Sequence, residues 1–271
     1  MSEYASVSSN KSTLTSAPNS IPLAPKPPDN PPVTAIGATT PTEKIENKIN
    51  PVQYYVKASF MITYILLLTT ATVTFIEAMR TPSQEVRHIL NLETCVSVVA
   101  GYFYSVFVNQ IEGYSKDNKQ IDWKDITKTR YVDWMITTPI MLLILCIFLG
   151  SHVGKKINIT QLGTLLILNV GMLLFGYLGE ADILNRYIAV VLGFIPFSIM
   201  FYLIYSWFIL PKSIFMNSCL YFLYLILWGL YGVVYMLPET YKNITMNIFD
   251  CIAKCFVGIG LWLYYSKMVA L

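Results

Sequence analysis

Between Val52 and Lys267 the chain divides into seven apolar runs, at approximately 54–78, 87–110, 126–149, 160–178, 184–208, 216–237 and 245–267, joined by polar connections. A helix that crosses a bilayer needs about 20 consecutive apolar residues, and each run is near that length. Within hydrocarbon every backbone polar group must be satisfied inside the protein, so only helices or closed barrels can span. Runs this long and continuous do not match the alternating strands of a barrel, each about ten residues long. Short connections place consecutive helices antiparallel and adjacent. The reading is an all-α, multi-pass integral membrane protein: a seven-transmembrane-helix bundle over residues 51–271, surrounded by membrane lipid. Composition agrees, with 55% of residues hydrophobic and 13% charged, where a soluble domain carries about 25% charged residues.

Residues 1–50 differ in kind. Ser8, Ser9, Ser12 and Ser16 are followed by Pro18, Pro22, Pro25, Pro27, Pro28, Pro31 and Pro32, with few large apolar side chains. Such a Pro/Ser/Thr-rich stretch cannot bury enough surface to offset chain entropy, and it reads as a disordered or polyproline-like tail. It lacks the apolar core of a signal peptide, which leaves the first membrane helix as the insertion signal. Orientation is not decided by charge. Arg80, Arg87, Lys155, Lys156 and Lys212 fall on one side and Lys116, Lys119, Lys124, Lys128, Arg186 and Lys242 on the other, so the positive-inside rule does not choose between the two orientations. An extracellular N-terminus with a cytoplasmic C-terminus is the working assignment. The polar stretch 111–128 reads as a long loop able to cap the bundle. A net charge of +3 without a dense basic run points away from nucleic acid. Cys95, Cys146, Cys219, Cys251 and Cys255 all lie in apolar runs, so they read as small apolar residues rather than disulfides or metal ligands. His88 and His152 sit at helix ends, and no enzyme site or metal site is expected.

Ionisable residues inside the runs carry the functional signal, because each is costly unless paired. In the last run Asp250 and Lys254 are four residues apart and share a helix face. In the third, Arg130, Asp133 and Thr137 fall on one face. The plain reading of Asp250 and Lys254 is a structural ion pair, which needs no function. With Arg130 and Asp133 added, two cations meet two anions, a neutral set that a low-dielectric interior tolerates. Such a cluster is expensive to keep for packing alone.

The third run, Arg130-Tyr131-Val132-Asp133-Trp134 followed by Thr137-Thr138-Pro139, is similar to the third helix of microbial rhodopsins. Asp250 with Lys254 looks like their retinal attachment site, and the resemblance extends over about 52–267. It implies that Lys254 holds all-trans retinal as a protonated Schiff base. Asp133 and Asp250 would be its counterions, with Asp133 also the proton acceptor. Arg130 would orient and balance them, and Thr137 belongs to the same group. The resemblance also places Trp228 and Tyr231 against the polyene with Trp134 opposite. Tyr235 falls on the same face as Trp228 and Tyr231. Met172, Gly176 and Phe197 would border the ring, and Thr138 and Met141 would complete the pocket. The ordinary reading of such an aromatic stripe is core packing. Where the family usually has Pro after the matching Tyr this chain has Gly232, which removes the usual cause of a kink in helix six.

Outward proton pumps that resemble this chain carry a carboxylate two turns past the helix-three threonine; here that position is Ile144. Helix two instead holds Glu93, with Ser97 one turn on, and channelrhodopsins similarly have helix-two carboxylates near an inner gate. The plain reading of Glu93 is a solvated residue near the helix end. Thr138 and Asn169 match the helix-three and helix-four pair that affects gating in channelrhodopsins, with the usual Cys and Asp replaced. The stretch Arg87-His88 to Glu93-Thr94, with Ala100-Gly101-Tyr102-Phe103-Tyr104, resembles the rhodopsins of giant viruses, one group of which is similar in action to channelrhodopsins.

The leading expectation is a light-gated cation channel with a path past Ser59, Thr63, Glu93, Ser97, Asn247 and the Schiff base. An outward proton pump is the first alternative, and a sensory rhodopsin acting through a separate transducer is the second. Homo-oligomers are common in the family and one is expected here. Met141 stands where a glutamine favours blue absorption in related proteins, so the pigment formed on adding retinal should absorb in the green. An absorption maximum in the blue would overturn that reading of Met141.

Overall fold

The computed structural model describes residues 51–117 and 119–266, with side chains from Tyr54 onward. The tail expected over 1–50 and the chain end from Lys267 lie outside the described residues. Seven helices form the structure: α1 (Pro51–Arg80), α2 (Gln84–Lys116), α3 (Trp123–Val153), α4 (Ile159–Glu180), α5 (Arg186–Ile209), α6 (Phe215–Val234) and α7 (Glu239–Tyr265). All seven are long and apolar enough to cross a membrane, and no strand occurs among the described residues. The chain is thus an integral multi-pass membrane protein. Two helices carry a π-helical stretch, Tyr205–Ile209 at the end of α5 and Cys251–Phe256 in the middle of α7. Pro139 lies inside α3 and Pro196 inside α5, whereas α6 has no proline.

Helix ends are set by capping groups rather than by the limits of apolarity. The Asp122 carboxylate accepts from the backbone N–H groups of Lys124 and Asp125 and opens α3. Asn158 and Gln161 form a reciprocal capping box at α4, which satisfies two otherwise orphaned donors. Gly154, with φ of 68°, closes α3 in the left-handed conformation that glycine adopts without strain. These caps correct the reading of 111–128 as a long loop. α2 continues to Lys116 and α3 begins at Trp123, so only a short turn joins them. The residues there are polar but helical, and Gln110 Nε2 donates to the Asp125 carboxylate across the α2–α3 contact at 2.8 Å.

α7 likewise starts at Glu239, before its apolar run begins at 245. Its polar first turns are buried by pairing. Lys242 Nζ donates to both Glu180 oxygens at 2.9 Å and to Glu239 at 2.8 Å. Arg186 reaches Glu180 at 3.3 Å and Glu239 at 3.4 Å. Two cations and two carboxylates thereby clasp the ends of α4, α5 and α7 together. Apolar packing fills the rest of the bundle. One cluster joins Ile144, Leu145 and Phe148 of α3 to Phe201 and Phe208 of α5 and Tyr224 of α6. Another joins Phe60 and Leu67 of α1 to Tyr104 and Phe107 of α2.

Removing one member of a buried ion pair leaves an uncompensated charge, at a cost of about 3–5 kcal/mol. Lys242→Met should therefore lower the temperature at which the protein unfolds in detergent, and the further change Glu180→Leu should recover most of that loss. Unchanged thermal stability in the single variant would show that the clasp does not hold α7 in place.

Candidate functional site

Lys254 lies within the π-helical stretch of α7, and its side chain is buried. Its Nζ donates to Asp133 Oδ2 at 2.7 Å and stands 3.7 Å from Asp250 Oδ1. Asp250 is the more heavily tied carboxylate. Oδ1 accepts from the Tyr231 hydroxyl at 2.7 Å. Oδ2 accepts from the Tyr104 hydroxyl at 2.6 Å and from Arg130 at 3.4 Å. Arg130 also donates to Asn247 Oδ1 at 2.9 Å and to Asn243 Oδ1 at 3.2 Å. The rings of Phe60 and Phe107 lie 5.3 and 5.1 Å from its guanidinium carbon, where a ring face attracts a cation.

Of the two carboxylates that Arg130 is expected to balance, it pairs directly with Asp250. The Thr137 hydroxyl donates to the backbone carbonyl of Asp133 at 2.9 Å, and Asp133 Oδ1 is buried without a partner. A hydroxyl one turn along a helix finds the i−4 carbonyl nearer than the side chain.

Beyond Lys254 a cavity opens between α3, α4, α5 and α6. Its lining is predominantly apolar and aromatic, as in sites that take an apolar ligand. All of the pocket residues read from the sequence line it: Trp134, Thr138, Met141, Met172, Gly176, Phe197, Trp228, Tyr231, Tyr235 and Lys254. Gly193, Phe194 and Met246 also line it, and nothing in the sequence pattern singled them out. Gly232 has a packing reason: a Cβ there would stand 2.6 Å from two ring carbons of Phe194. Gly176 is similarly confined, with the Tyr131 hydroxyl 2.6 Å from where a Cβ would stand. An apolar slot flanked by Trp134 and Trp228, with a buried amine and two carboxylates at its inner end, fits a long apolar aldehyde such as retinal. Asn169 Nδ2 donates to Thr138 Oγ1 at 2.8 Å, so the two residues paired by the sequence resemblance do meet.

The residues read as an ion path fall into two groups. Asn247 Nδ2 donates to Ser59 Oγ at 2.9 Å, and Thr63 Oγ1 donates to the Asn247 carbonyl at 3.4 Å. These join the Arg130 and Tyr104 network. Glu93 and Ser97 lie farther along α2, both buried, and Glu93 Oε1 and Ser97 Oγ have no hydrogen-bond partner. The reading of Glu93 as a solvated helix-end residue is therefore corrected. It lies on the α2 face whose neighbours Ile89 and Val96 pack in the same cluster as Ile144. Tyr104 and Asn243 were missed as site residues. A signal existed for each: Tyr104 continues the face of Glu93, Ser97 and Gly101, and Asn243 precedes Asn247 by one turn.

A family model described as bacteriorhodopsin-like protein matches residues 55–268. The crystal structure of viral rhodopsin OLPVRII is 42% identical with a TM-score of 0.73, over 79% of this chain and 99% of that one. Blue light-absorbing proteorhodopsin from Med12 is 22% identical with a TM-score of 0.63, over 79% of this chain and 98% of that one. Exiguobacterium sibiricum rhodopsin is 17% identical with a TM-score of 0.63, over 81% of this chain and 98% of that one. The last two likenesses are of fold. No curated protein matches the chain.

A side chain at position 232 would collide with the Phe194 ring, which lines the cavity. Gly232→Val should therefore slow the appearance of colour when retinal is added and shift the absorption maximum, as recorded by visible spectroscopy. Uptake and spectrum identical to the parent would show that Phe194 yields outward and does not shape the pocket.

Proposed function

The chain belongs to the bacteriorhodopsin-like family, and from that membership we propose that it is a light-gated cation channel whose path runs between α1, α2 and α7, beside Lys254. Lys254 is the residue that carries retinal, which when bound supplies absorption of visible light and a change of shape that displaces the Lys254 nitrogen. Asp250 is fixed by Tyr104, Tyr231 and Arg130 and serves as the standing negative charge. Asp133, at 2.7 Å from Nζ and with Oδ1 free, is the group placed to take up a proton. Arg130 holds the Asp250 side of the cluster through Asn243 and Asn247. Trp134, Trp228 and Tyr231 confine the pocket so that light-driven movement is transmitted to α7.

One observation carries the channel reading. A pump must route its ion through the residue that switches, because a polar path alongside it would let the ion leak back. Here the polar residues of the path lie to one side of the switch. Ser59 and Thr63 of α1 and Glu93 and Ser97 of α2 do not hydrogen-bond to Lys254 Nζ or to the Asp133 carboxylate. Ile144, where a pump of this kind would have its internal donor, is fully buried and apolar. The outward proton pump is the second reading. It is favoured by Glu93, a buried carboxyl with an unpartnered oxygen, which could return a proton from the α1–α2 loop side. The N-terminus outside and the C-terminus inside form part of both readings.

Photocurrents recorded under green light at several voltages separate the two. Currents that reverse sign with the cation gradient are expected. Outward current at every voltage would replace the channel with the pump. Glu93→Gln should change current amplitude or closing rate while leaving the colour intact; identical currents would remove Glu93 from the path.

A further inference from the structure

Gly258 is buried in α7, one turn past Lys254 and just beyond the π-helical stretch. A glycine inside a helix is less stable than an alanine, so the position needs a reason. Its neighbours supply one. An added Cβ would stand 2.7 Å from the Thr70 methyl carbon of α1 and 3.2 Å from Glu93 Oε2 of α2. The bare backbone of α7 therefore lies against a methyl on one helix and a carboxyl on another. The Thr70 hydroxyl donates to the Leu66 carbonyl at 2.9 Å, which holds its stiff, β-branched side chain with the methyl toward Gly258. One turn on, α1 is tied to α2, where the Thr74 and Thr94 hydroxyls are 2.8 Å apart. Thr70 and Glu93 are buried as well. Among the described residues the hydrogen bonds between α1 and α7 lie at Ser59 and Thr63, and none crosses at Gly258. Gly260 is the contrasting case: it is exposed, and a Cβ there would meet nothing within 4 Å.

We propose that Gly258 is the positioning residue of a seal: having no side chain, it lets α7 close on Thr70 and Glu93, and this contact shuts Lys254 off from the α1–α2 loop side. The inference rests on the channel reading and names the contact that holds its path closed in the dark. Three physical features favour it. A methyl packed on bare backbone is held by weak dispersion alone, so the contact parts without breaking a hydrogen bond. Glu93 Oε1 and Ser97 Oγ, one turn apart on α2, are buried without partners. Water that enters when the contact parts therefore finds the polar groups it needs. Gly258 follows Lys254 by four residues, about one helical turn, so a displacement of Lys254 reaches the seal directly through α7.

The reagent 2-(aminooxy)ethylamine, a small cation that crosses lipid poorly, tests the seal. Its aminooxy nitrogen attacks the carbon of the protonated imine that retinal forms with Lys254. A C=N bond to the reagent forms and the bond to the Lys254 nitrogen breaks. Lys254 leaves as its ammonium, carrying the imine proton and both protons of the aminooxy nitrogen, and the colour is lost. The retinal-loaded protein is held in lipid vesicles in one orientation, and the reagent is added in the dark to one face at a time. Gly258→Ala should bleach roughly tenfold faster than the parent from the α1–α2 loop side, a factor within the range that one added buried methyl implies. From the other side it should bleach at the parent's rate. Gly260→Ala should match the parent from both sides. Thr70→Ser, which removes the methyl and keeps the hydroxyl, should return Gly258→Ala to the parent's rate. Parent-like bleaching of Gly258→Ala, equal acceleration from both sides, or no rescue by Thr70→Ser overturns the seal. Where Gly258→Ala does not fold, Thr70→Ala opens the same contact from α1 and must speed bleaching from the α1–α2 loop side alone. Bleaching needs no photocurrent, so a parent without light-gated current would refute the channel while these rates still decide the seal.

Discussion

Asp250 is the point on which the bundle turns. Its two oxygens meet Tyr104 of α2, Arg130 of α3 and Tyr231 of α6, and its own helix places Lys254 one turn away. A lone carboxylate in a medium of this polarity would be untenable. With these partners it becomes the anchor that fixes the rotation of four helices. Lys254 and Asp133 can then form a close pair that nothing else constrains: Nζ has its one short contact at 2.7 Å, and Asp133 Oδ1 remains free. Asp250 is thus the more constrained carboxylate and Asp133 the less constrained one. Were neither tied, Arg130 would have no reason to stay buried.

Much of this was legible in the sequence because lipid leaves few options. Seven runs of sufficient length dictate seven helices, and charged residues within them stand out against an apolar background. The pocket residues were legible as well, since a long motif in α3 fixes the register of everything that faces it. What the sequence hid has a physical pattern. Helix ends depend on capping groups such as Asp122 and Asn158, which act at the level of single hydrogen bonds, and apolarity does not record them. The clasp of Glu180, Arg186, Glu239 and Lys242 looks like ordinary surface charge until α4, α5 and α7 are brought to one end. Helical periodicity shows which face Arg130 occupies but not every neighbour that face meets, so its contacts with Tyr104 and Asn243 had to come from the structure. Thiols in apolar runs read as small apolar side chains, and only the position of Thr63 reveals Cys251 as a polar contact.

The two halves of the bundle share α7 and use it differently. Toward α3, α4, α5 and α6 it presents Lys254, Ala253 and Met246 to an apolar slot. Toward α1 and α2 it presents Asn247 and Cys251 to the hydroxyls of Ser59, Thr63 and Tyr104. A regular helix would turn these two faces as a single rigid rod. The π-helical stretch Cys251–Phe256 lies where the faces meet, and an added residue in a turn is accommodated by local change rather than by moving the whole helix. A displacement of the Lys254 nitrogen on one face can therefore separate side chains on the other while Asp250, one residue before the stretch, remains held by Tyr104, Arg130 and Tyr231. The chain's departure from ideal helix thus falls between the apolar slot on one face of α7 and the polar contacts on the other.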